Sequence, residues 1–124
     1  MSIQSYRDLI VWQKAMDLCV DVHNVTLRFP KQEMFGLSSQ LNRSVVSVPS
    51  NIAEGHGRRT TLDYIHFLSI TRGSLNEVET QLTLAMRYKY FPPEEHHVLL
   101  EQCGEVGRMV NGLIDALERR RTSS

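Results

Sequence analysis

The amino-acid sequence predicts an all-α protein, a single up-and-down antiparallel four-helix bundle. Apolar residues recur at three- and four-residue steps through four long segments, which is the period of an amphipathic helix. Proline and glycine breaks at residues 29–30, 55–57 and 91–93 separate these segments. No stretch alternates apolar and polar residues as a half-buried strand does. Four amphipathic helices with short connections favour antiparallel neighbours around one core.

Length and charge set broad limits. The 124 residues make about one domain, with helices expected at residues 6–28, 32–55, 61–90 and 93–121. Fourteen basic residues balance fourteen acidic residues, so global charge indicates neither a nucleic-acid nor a membrane partner. No apolar run approaches the roughly 20 residues that span a bilayer, and residues 1–6 lack a signal-peptide pattern. We therefore expect a cytoplasmic protein.

The first segment is apolar around an unusually wide arc. One stripe faces a core and contains Val11, Ala15, Leu18, Val22 and Val25. A second stripe lies about a quarter-turn or more away and contains Leu9, Trp12, Met16, Cys19, Val20 and Leu27. Together they cover roughly 220°, about twice the minimum width of a core-facing stripe. Either this helix is simply more central than the others, or its second face contacts another subunit. We predict a homo-oligomer whose interface includes Leu9, Trp12, Met16 and Val20.

The second segment carries a proline inside a continuous apolar stripe. The stripe contains Met34, Leu37, Leu41, Val45, Val48 and Ile52. Pro49 removes a backbone donor and opposes the Val45 carbonyl four residues earlier. Because the stripe continues in phase beyond the proline, the sequence predicts a helix kinked at Pro49 rather than broken there. We expect the freed backbone groups to be satisfied by Ser47, Ser50 and Asn51.

The third segment begins at a capping pair, Thr60 and Asp63. Its apolar face contains Tyr64, Phe67, Leu68, Leu75, Val78, Leu82, Ala85 and Met86. Gly73 within this helix costs about 1 kcal/mol relative to alanine. The glycine therefore suggests a close approach of another helix.

The fourth segment begins at Pro93, which suits a first helical turn, and Glu94 and Glu95 favour the positive end of the helix. Its stripe contains Leu99, Cys103, Val106, Val110, Leu113 and Leu117. The basic residues at the C-terminal end complement the negative end of the helix dipole.

Metal and nucleophile chemistry have little support. A dimetal bundle takes Glu-x-x-His pairs from two helices; this chain has one match, Glu94 with His97, and Asp63 with His66 is a weaker one. His96 and His97 are adjacent, so they point about 100° apart on a helix. Both cysteines, Cys19 and Cys103, lie within apolar stripes as free buried thiols. We predict no metal, cofactor or catalytic residue, and a metal-dependent enzyme is the least favoured alternative.

Two polar groups are candidates for a site. Asn51, Glu54 and Arg58 are three and four residues apart, so they share one helix face. Arg72 and Glu77 on the third helix join them as candidates. One interpretation is a buried or semi-buried ion-pair network; the other is a site for a ligand or partner.

Basic residues cluster near two segment ends, at Arg58-Arg59 and at Arg119-Arg120-Arg121. These are either solvated helix ends or a basic patch. Repeated around a ring of subunits, the patch would gain affinity for nucleic acid with each phosphate it neutralises. No aromatic platform accompanies it, so sequence-specific reading of single strands is not supported.

The sequence resembles a bacterial family of four-helix-bundle proteins encoded in intervening sequences of large-subunit ribosomal RNA genes, some of which carry a ribosomal-protein name. The match covers nearly the whole chain. Its most distinctive block is Ser50-Asn51-Ile52-Ala53-Glu54-Gly55. The remaining matches are Tyr6-Arg7-Asp8-Leu9, Val11-Trp12-Gln13-Lys14-Ala15, Phe29-Pro30, Glu33, Gly36-Leu37, Gly57-Arg58, Phe67-Leu68 and Arg72-Gly73-Ser74-Leu75-Asn76-Glu77.

The resemblance implies a homopentamer shaped like a barrel or funnel, with no established enzymatic activity. It also implies kinship to the accessory variability determinant of diversity-generating retroelements, a basic pentamer that binds a reverse transcriptase and nucleic acid. The present chain differs in being electroneutral. The leading hypothesis is a non-catalytic pentameric scaffold that binds RNA, DNA or a nucleic-acid enzyme. The alternative is a purely protein-binding or structural oligomer.

Overall fold

The computed structural model describes residues 4–123, and over that range the chain forms four α-helices. They are α1 (Ile10–Thr26), α2 (Leu37–His56), α3 (Thr61–Arg87) and α4 (Pro93–Ser123). Short 3₁₀ turns at Tyr6–Asp8 and Lys31–Glu33 precede α1 and α2. Within the described range, α1 and α3 each pack against α2 and α4, and the backbones of the diagonal pairs stay farther apart. The predicted all-α four-helix bundle is confirmed. Residues 1–3, on which the signal-peptide expectation partly rests, lie outside the described residues.

One apolar cluster forms the core, and each helix contributes its predicted stripe. The five predicted α1 positions are all buried, and so are the α2 positions from Leu37 to Ile52. Met34 is 57% exposed because it lies in the connection before α2, so its assignment to the stripe was wrong. In α4 the core position is Ile114, while the predicted Leu113 is only half-buried. Thr71 is fully buried in α3. Its burial is tolerated because its hydroxyl donates to the Phe67 carbonyl within the same helix, at 3.1 Å.

The first two helices begin later than predicted, for local reasons. Ser5 and Asp8 form a capping box around the first 3₁₀ turn, and Leu9 then turns to extended geometry before α1 starts. The second helix begins only after Gly36, whose ψ of −114° lies outside helical geometry. A Cβ at Gly36 would lie 2.8 Å from Glu33 Oε1, so glycine leaves room for the carboxylate that accepts from the Leu37 backbone N–H at 3.1 Å.

The same glutamate, Glu33, links the α1–α2 connection to the α3–α4 connection at one end of the bundle. The Tyr90 hydroxyl donates to Glu33 Oε2 at 2.7 Å, which lowers the pKa of Glu33 and raises the pKa of Tyr90. Tyr90 reaches this position because α3 ends at Arg87 and Lys89 adopts a left-handed φ of 68°. The predicted helix to residue 90 therefore ends three residues early, in a left-handed turn of the kind that closes many helices.

Pro49 does not break α2, which is helical from Leu37 to His56. Proline leaves the Val45 carbonyl without its helical donor. The Cys19 thiol of α1 takes that place, donating to Val45 O at 3.2 Å. Asn51, which was expected to satisfy the backbone groups freed by Pro49, instead donates from its Nδ2 to Ser47 O at 2.8 Å. Burial raises the pKa of Cys19 to about 11, so the thiol stays protonated and able to donate at neutral pH.

We predict that Cys19→Ala lowers the free energy of unfolding by about 1 kcal/mol, because the Val45 carbonyl loses its donor. In a Pro49→Ala background the cost should shrink, because residue 49 then supplies the helical N–H itself. A double-mutant cycle by urea unfolding measures this coupling. Cys103→Ala is the control, with the same cost in both backgrounds. A coupling energy of zero between positions 19 and 49 would contradict the assignment.

Candidate functional site

The outer surface of α1 and α2 carries exposed apolar side chains, which we call the α1–α2 apolar face. On α1, Val20 is 57% exposed and Leu27 is 68% exposed. In the connection to α2, Phe35 is 93% exposed. The face consists of Met16, Val20, Leu27, Met34, Phe35 and Val46. Large contiguous apolar patches on soluble proteins commonly mark interaction sites, so this face is a candidate site.

Side-chain contacts place the α1 and α2 parts of this face next to each other. Asn42 of α2 donates to Thr26 of α1 at 3.0 Å and lies 3.4 Å from the His23 ring nitrogen. Val46 follows Asn42 by four residues, so it lies on the same side of α2, one turn along. The Cys19 contact with the Val45 carbonyl brings α1 to the same level. Val46 therefore extends the exposed stripe of α1 across onto α2.

The predicted interface residues divide into two pairs. Leu9 and Trp12 are half-buried and pack against the core of their own subunit. Tyr6 from the first 3₁₀ turn covers part of the indole, with ring centroids 5.2 Å apart at 71°. Met16 and Val20 are 41% and 57% exposed. The second stripe of α1 is thus partly covered by its own chain, at Leu9, Trp12 and Cys19, and exposed at Met16, Val20 and Leu27.

Sequence reasoning missed Phe35 and Val46. Phe35 lies in the non-helical connection, where helical periodicity carries no information about exposure. Val46 is 53% exposed beside buried Val45. Helical period placed Val45 in the core stripe, but it carried no information that Val46 lies next to the exposed side of α1. A hollow of about 500 Å³ adjoins Leu27, Met34 and Phe35, and Lys31 and Arg43 line it as well.

The first three polar candidates form a local arrangement at the C-terminal end of α2. Glu54 and Arg58 approach to 3.9 Å, and the Arg58 guanidinium lies 4.6 Å from the centre of the Phe67 ring. A cation over an aromatic ring at this distance is attractive. Asn51 bonds within its own helix, to Ser47. The charged pair is exposed, so solvent screens it.

The other two candidates lie apart from this arrangement. Arg72 points to α4 and donates to Asn111 Oδ1 at 3.3 Å. Glu77 lines a groove between α2 and α3 together with Arg43. Among the described residues the five therefore do not form the buried or semi-buried ion-pair network that was one interpretation of the sequence, because they project from different faces of α2 and α3. All four charged members are exposed.

A close approach of helices occurs at Gly55 rather than at Gly73. A Cβ at Gly55 would lie 2.9 Å from Phe67 Cβ and 3.3 Å from the Tyr64 carbonyl oxygen. At Gly73 a Cβ would meet nothing within 4 Å, so the predicted close approach there is wrong within the subunit. The last residue of the distinctive Ser50–Gly55 block thus allows α2 to pack directly on α3.

Both basic clusters lie at one end of the bundle. Helices α2 and α4 run in the same direction, so their C-terminal ends lie together. Arg58 and Arg59 follow α2, and Arg119, Arg120 and Arg121 lie in the last turns of α4. All five are exposed, and Arg121 approaches Glu118 to 3.4 Å. The fold therefore brings together two clusters that are some sixty residues apart in the sequence.

Two of the histidines considered for metal binding have other contacts. His96 Nε2 lies 2.9 Å from Thr83 Oγ1, and the His66 ring lies edge-on to the Phe67 ring with the centroids 5.6 Å apart. Across residues 4–123, no three His, Cys, Asp or Glu side chains come together as metal ligands would. None of the helices in that range has the length and apolar character to cross a membrane.

Comparison with known proteins places this bundle among its relatives. The sequence model of the 23S rRNA-intervening sequence protein family matches residues 7–112. A crystal structure from Bacteroides thetaiotaomicron VPI-5482, a protein of unknown function in the S23 ribosomal protein family, is similar at a TM-score of 0.79. The two chains share 26% identity over 85% of this chain and 98% of that one. No curated protein sequence matches the chain.

Substitution by alanine should have opposite effects on stability at Gly55 and at Gly73. Gly55→Ala should lower the free energy of unfolding by roughly 1–3 kcal/mol, the usual cost of overpacking, because its Cβ overlaps Phe67. Gly73→Ala should raise it by up to about 1 kcal/mol, because the new Cβ meets nothing and helix propensity improves. Urea unfolding measures both changes. Equal effects of the two substitutions would contradict the packing described at Gly55.

Proposed function

This chain belongs to the family of 23S rRNA-intervening sequence proteins, and from that premise we propose that it is a non-catalytic homo-oligomeric scaffold for a macromolecular partner. The assembly is a homopentamer, as the family resemblance implies, and its partner is RNA, DNA or a nucleic-acid enzyme. The cytoplasm is the proposed location, because the family's name ties it to ribosomal RNA. The observation that carries the assembly is the α1–α2 apolar face.

Three features of that face favour a protein interface. Its exposed members lie on two packed helices and their connection, so they form one surface rather than scattered side chains. Phe35 is almost wholly exposed, and aromatic side chains supply much of the binding energy of interfaces. Polar and charged residues, among them His23, Lys31 and Arg43, line the adjoining hollow, as at the rim of an interface.

The basic end of the bundle supports the nucleic-acid part. Five exposed arginines from the ends of α2 and α4 lie there, and the chain's zero net charge means that attraction for phosphates must be local. In a ring, each subunit would present the same end on the same side of the assembly. The ring would therefore gather several copies of the basic end on one side, although each chain keeps a net charge of zero, and affinity for phosphates grows with the number neutralised.

The assembly is tested by Val20→Asp, with Val98→Asp as the matched control. The two valines are 57% and 55% exposed, so the same charge enters at equal exposure, but only Val20 belongs to the α1–α2 apolar face. Light scattering should give the wild type and Val98→Asp a mass five times that of the 14.3-kDa chain. Val20→Asp should give smaller species with unchanged helicity, because burying an unpaired charge opposes association. A wild-type protein that is monomeric at all concentrations would overturn the proposal.

The nucleic-acid part is tested by fluorescence anisotropy of a labelled structured RNA over a salt series. Replacing Arg119, Arg120 and Arg121 by glutamine should weaken binding and reduce the slope of log K against log salt, because fewer counterions are released. The control replaces Arg28, Arg87 and Lys89 by glutamine, three residues that are exposed near the opposite end of the bundle and lie outside the α1–α2 apolar face. Salt-independent binding, or equal effects of the two triple variants, would remove nucleic acid from the proposal and favour the protein-binding alternative.

A further inference from the structure

A polar groove of about 680 Å³ runs between α3 and α4. It lies on the pair of helices opposite the α1–α2 apolar face. Arg72 of α3 and Arg108 of α4 line it from its two sides, and Asn76 and Asn111 add amide groups. We infer that this groove binds a phosphate group, carried by a nucleotide or by a nucleic-acid backbone, through Arg72 and Arg108. The inference does not depend on the proposed assembly or on the basic end of the bundle.

The charges in the groove favour an anion. Glu79 is its one carboxylate among the residues that the structure describes, against two guanidinium groups. Over residues 4–123 neither arginine forms an ion pair with a carboxylate; the charge of Arg108 contributes, after the larger effect of Lys14, to lowering the pKa of Glu105. The groove between α1 and α4 differs, since Asp21, Glu94 and Glu95 line it with one arginine.

The two guanidinium groups have donors to spare. Arg72 uses one N–H on Asn111 Oδ1 at 3.3 Å, and a guanidinium has five N–H donors. That contact leaves the Asn111 side-chain NH₂ as an additional donor. Planar guanidinium groups match the oxygens of a phosphate in pairs and form strong charge-assisted hydrogen bonds with them.

Glycine makes the room for this arrangement. A Cβ at Gly104 would lie 3.3 Å from Arg108 Nη1, so the absent side chain lets the guanidinium lie back along α4 beside the groove. A Cβ at Gly73 would meet nothing within 4 Å, and one at Gly107 would meet only Leu75, at 3.9 Å. Each glycine weakens its helix, and packing within the subunit explains neither Gly73 nor Gly107. Both residues line the groove, where the absence of side chains keeps it open to a ligand.

Calorimetric titration of the full chain with AMP and with a short single-stranded RNA tests the site, with adenosine as the phosphate-free control. We expect both phosphate probes to bind and adenosine not to bind. Arg72→Gln should weaken binding by about tenfold or more, since it removes a charge-assisted contact. Arg87→Gln, at an exposed arginine near the C-terminal end of α3 that does not line the groove, should leave it unchanged.

A second pair of variants tests the groove without altering charge. Gly73→Met should fill it and weaken AMP binding, whereas Gly112→Met adds the same side chain to α4 at a glycine that does not line the groove. Both positions are open, so both variants should fold with a stability at least that of the wild type. Loss of binding in the first variant alone supports the site.

The outcomes separate the two sources of phosphate and keep the two proposals apart. AMP binding that Arg72→Gln abolishes, with RNA binding unaffected, assigns a free phosphate ester; loss of RNA binding alone assigns a nucleic-acid backbone. If neither probe binds the wild type, or if Arg72→Gln and Gly73→Met both bind as the wild type does, the inference is overturned. Light scattering of the same samples reports assembly, so a failed phosphate site with an intact pentamer leaves the proposed function standing.

Discussion

The structure depends on one constraint: a four-helix bundle buries a single apolar stripe per helix, and α1 has more apolar surface than one stripe. Its core stripe, from Val11 to Val25, is fully used inside the subunit. The first 3₁₀ turn and α2 cover part of its second stripe, around Trp12 and Cys19. Met16, Val20 and Leu27 stay exposed. Each apolar side chain withdrawn from water contributes about 1.5–3 kcal/mol when fully buried, so this residual surface favours association.

The helix α2 links that surface to the rest of the bundle. Its proline frees the Val45 carbonyl on the side facing α1, and a thiol from α1 satisfies it. On its other side, Gly55 allows direct contact with Phe67 and Tyr64 of α3. One helix therefore contains two departures from ordinary helical sequence, and each of them fixes its distance to a different neighbour. The Ser50–Gly55 block begins directly after the proline and ends at Gly55, which gives it a packing role apart from any role in binding.

The polar candidates show which contacts helical spacing predicts and which it does not. Spacing correctly placed Glu54 beside Arg58, because residues four apart on one helix are neighbours. The structure places Arg72, together with Glu79, on the α3–α4 groove. Spacing carried no information on which helix each residue faces across the bundle. Arg72 consequently meets Asn111 of α4, while Glu77 turns toward α2.

By itself, the sequence determined the helical class, the number of helices and most of the core, because a period of 3.6 residues selects one face of each helix. It also determined that α1 has apolar surface beyond that face. The tertiary structure decided which part of this surface stays exposed, since the 3₁₀ turn that covers Trp12 depends on local capping. It also decided that Phe35 and Val46 extend the exposed face, that the basic clusters share one end, and that Gly73, Gly104 and Gly107 border a groove. These features depend on the direction and rotation of whole helices, which are set by packing between residues far apart in the chain.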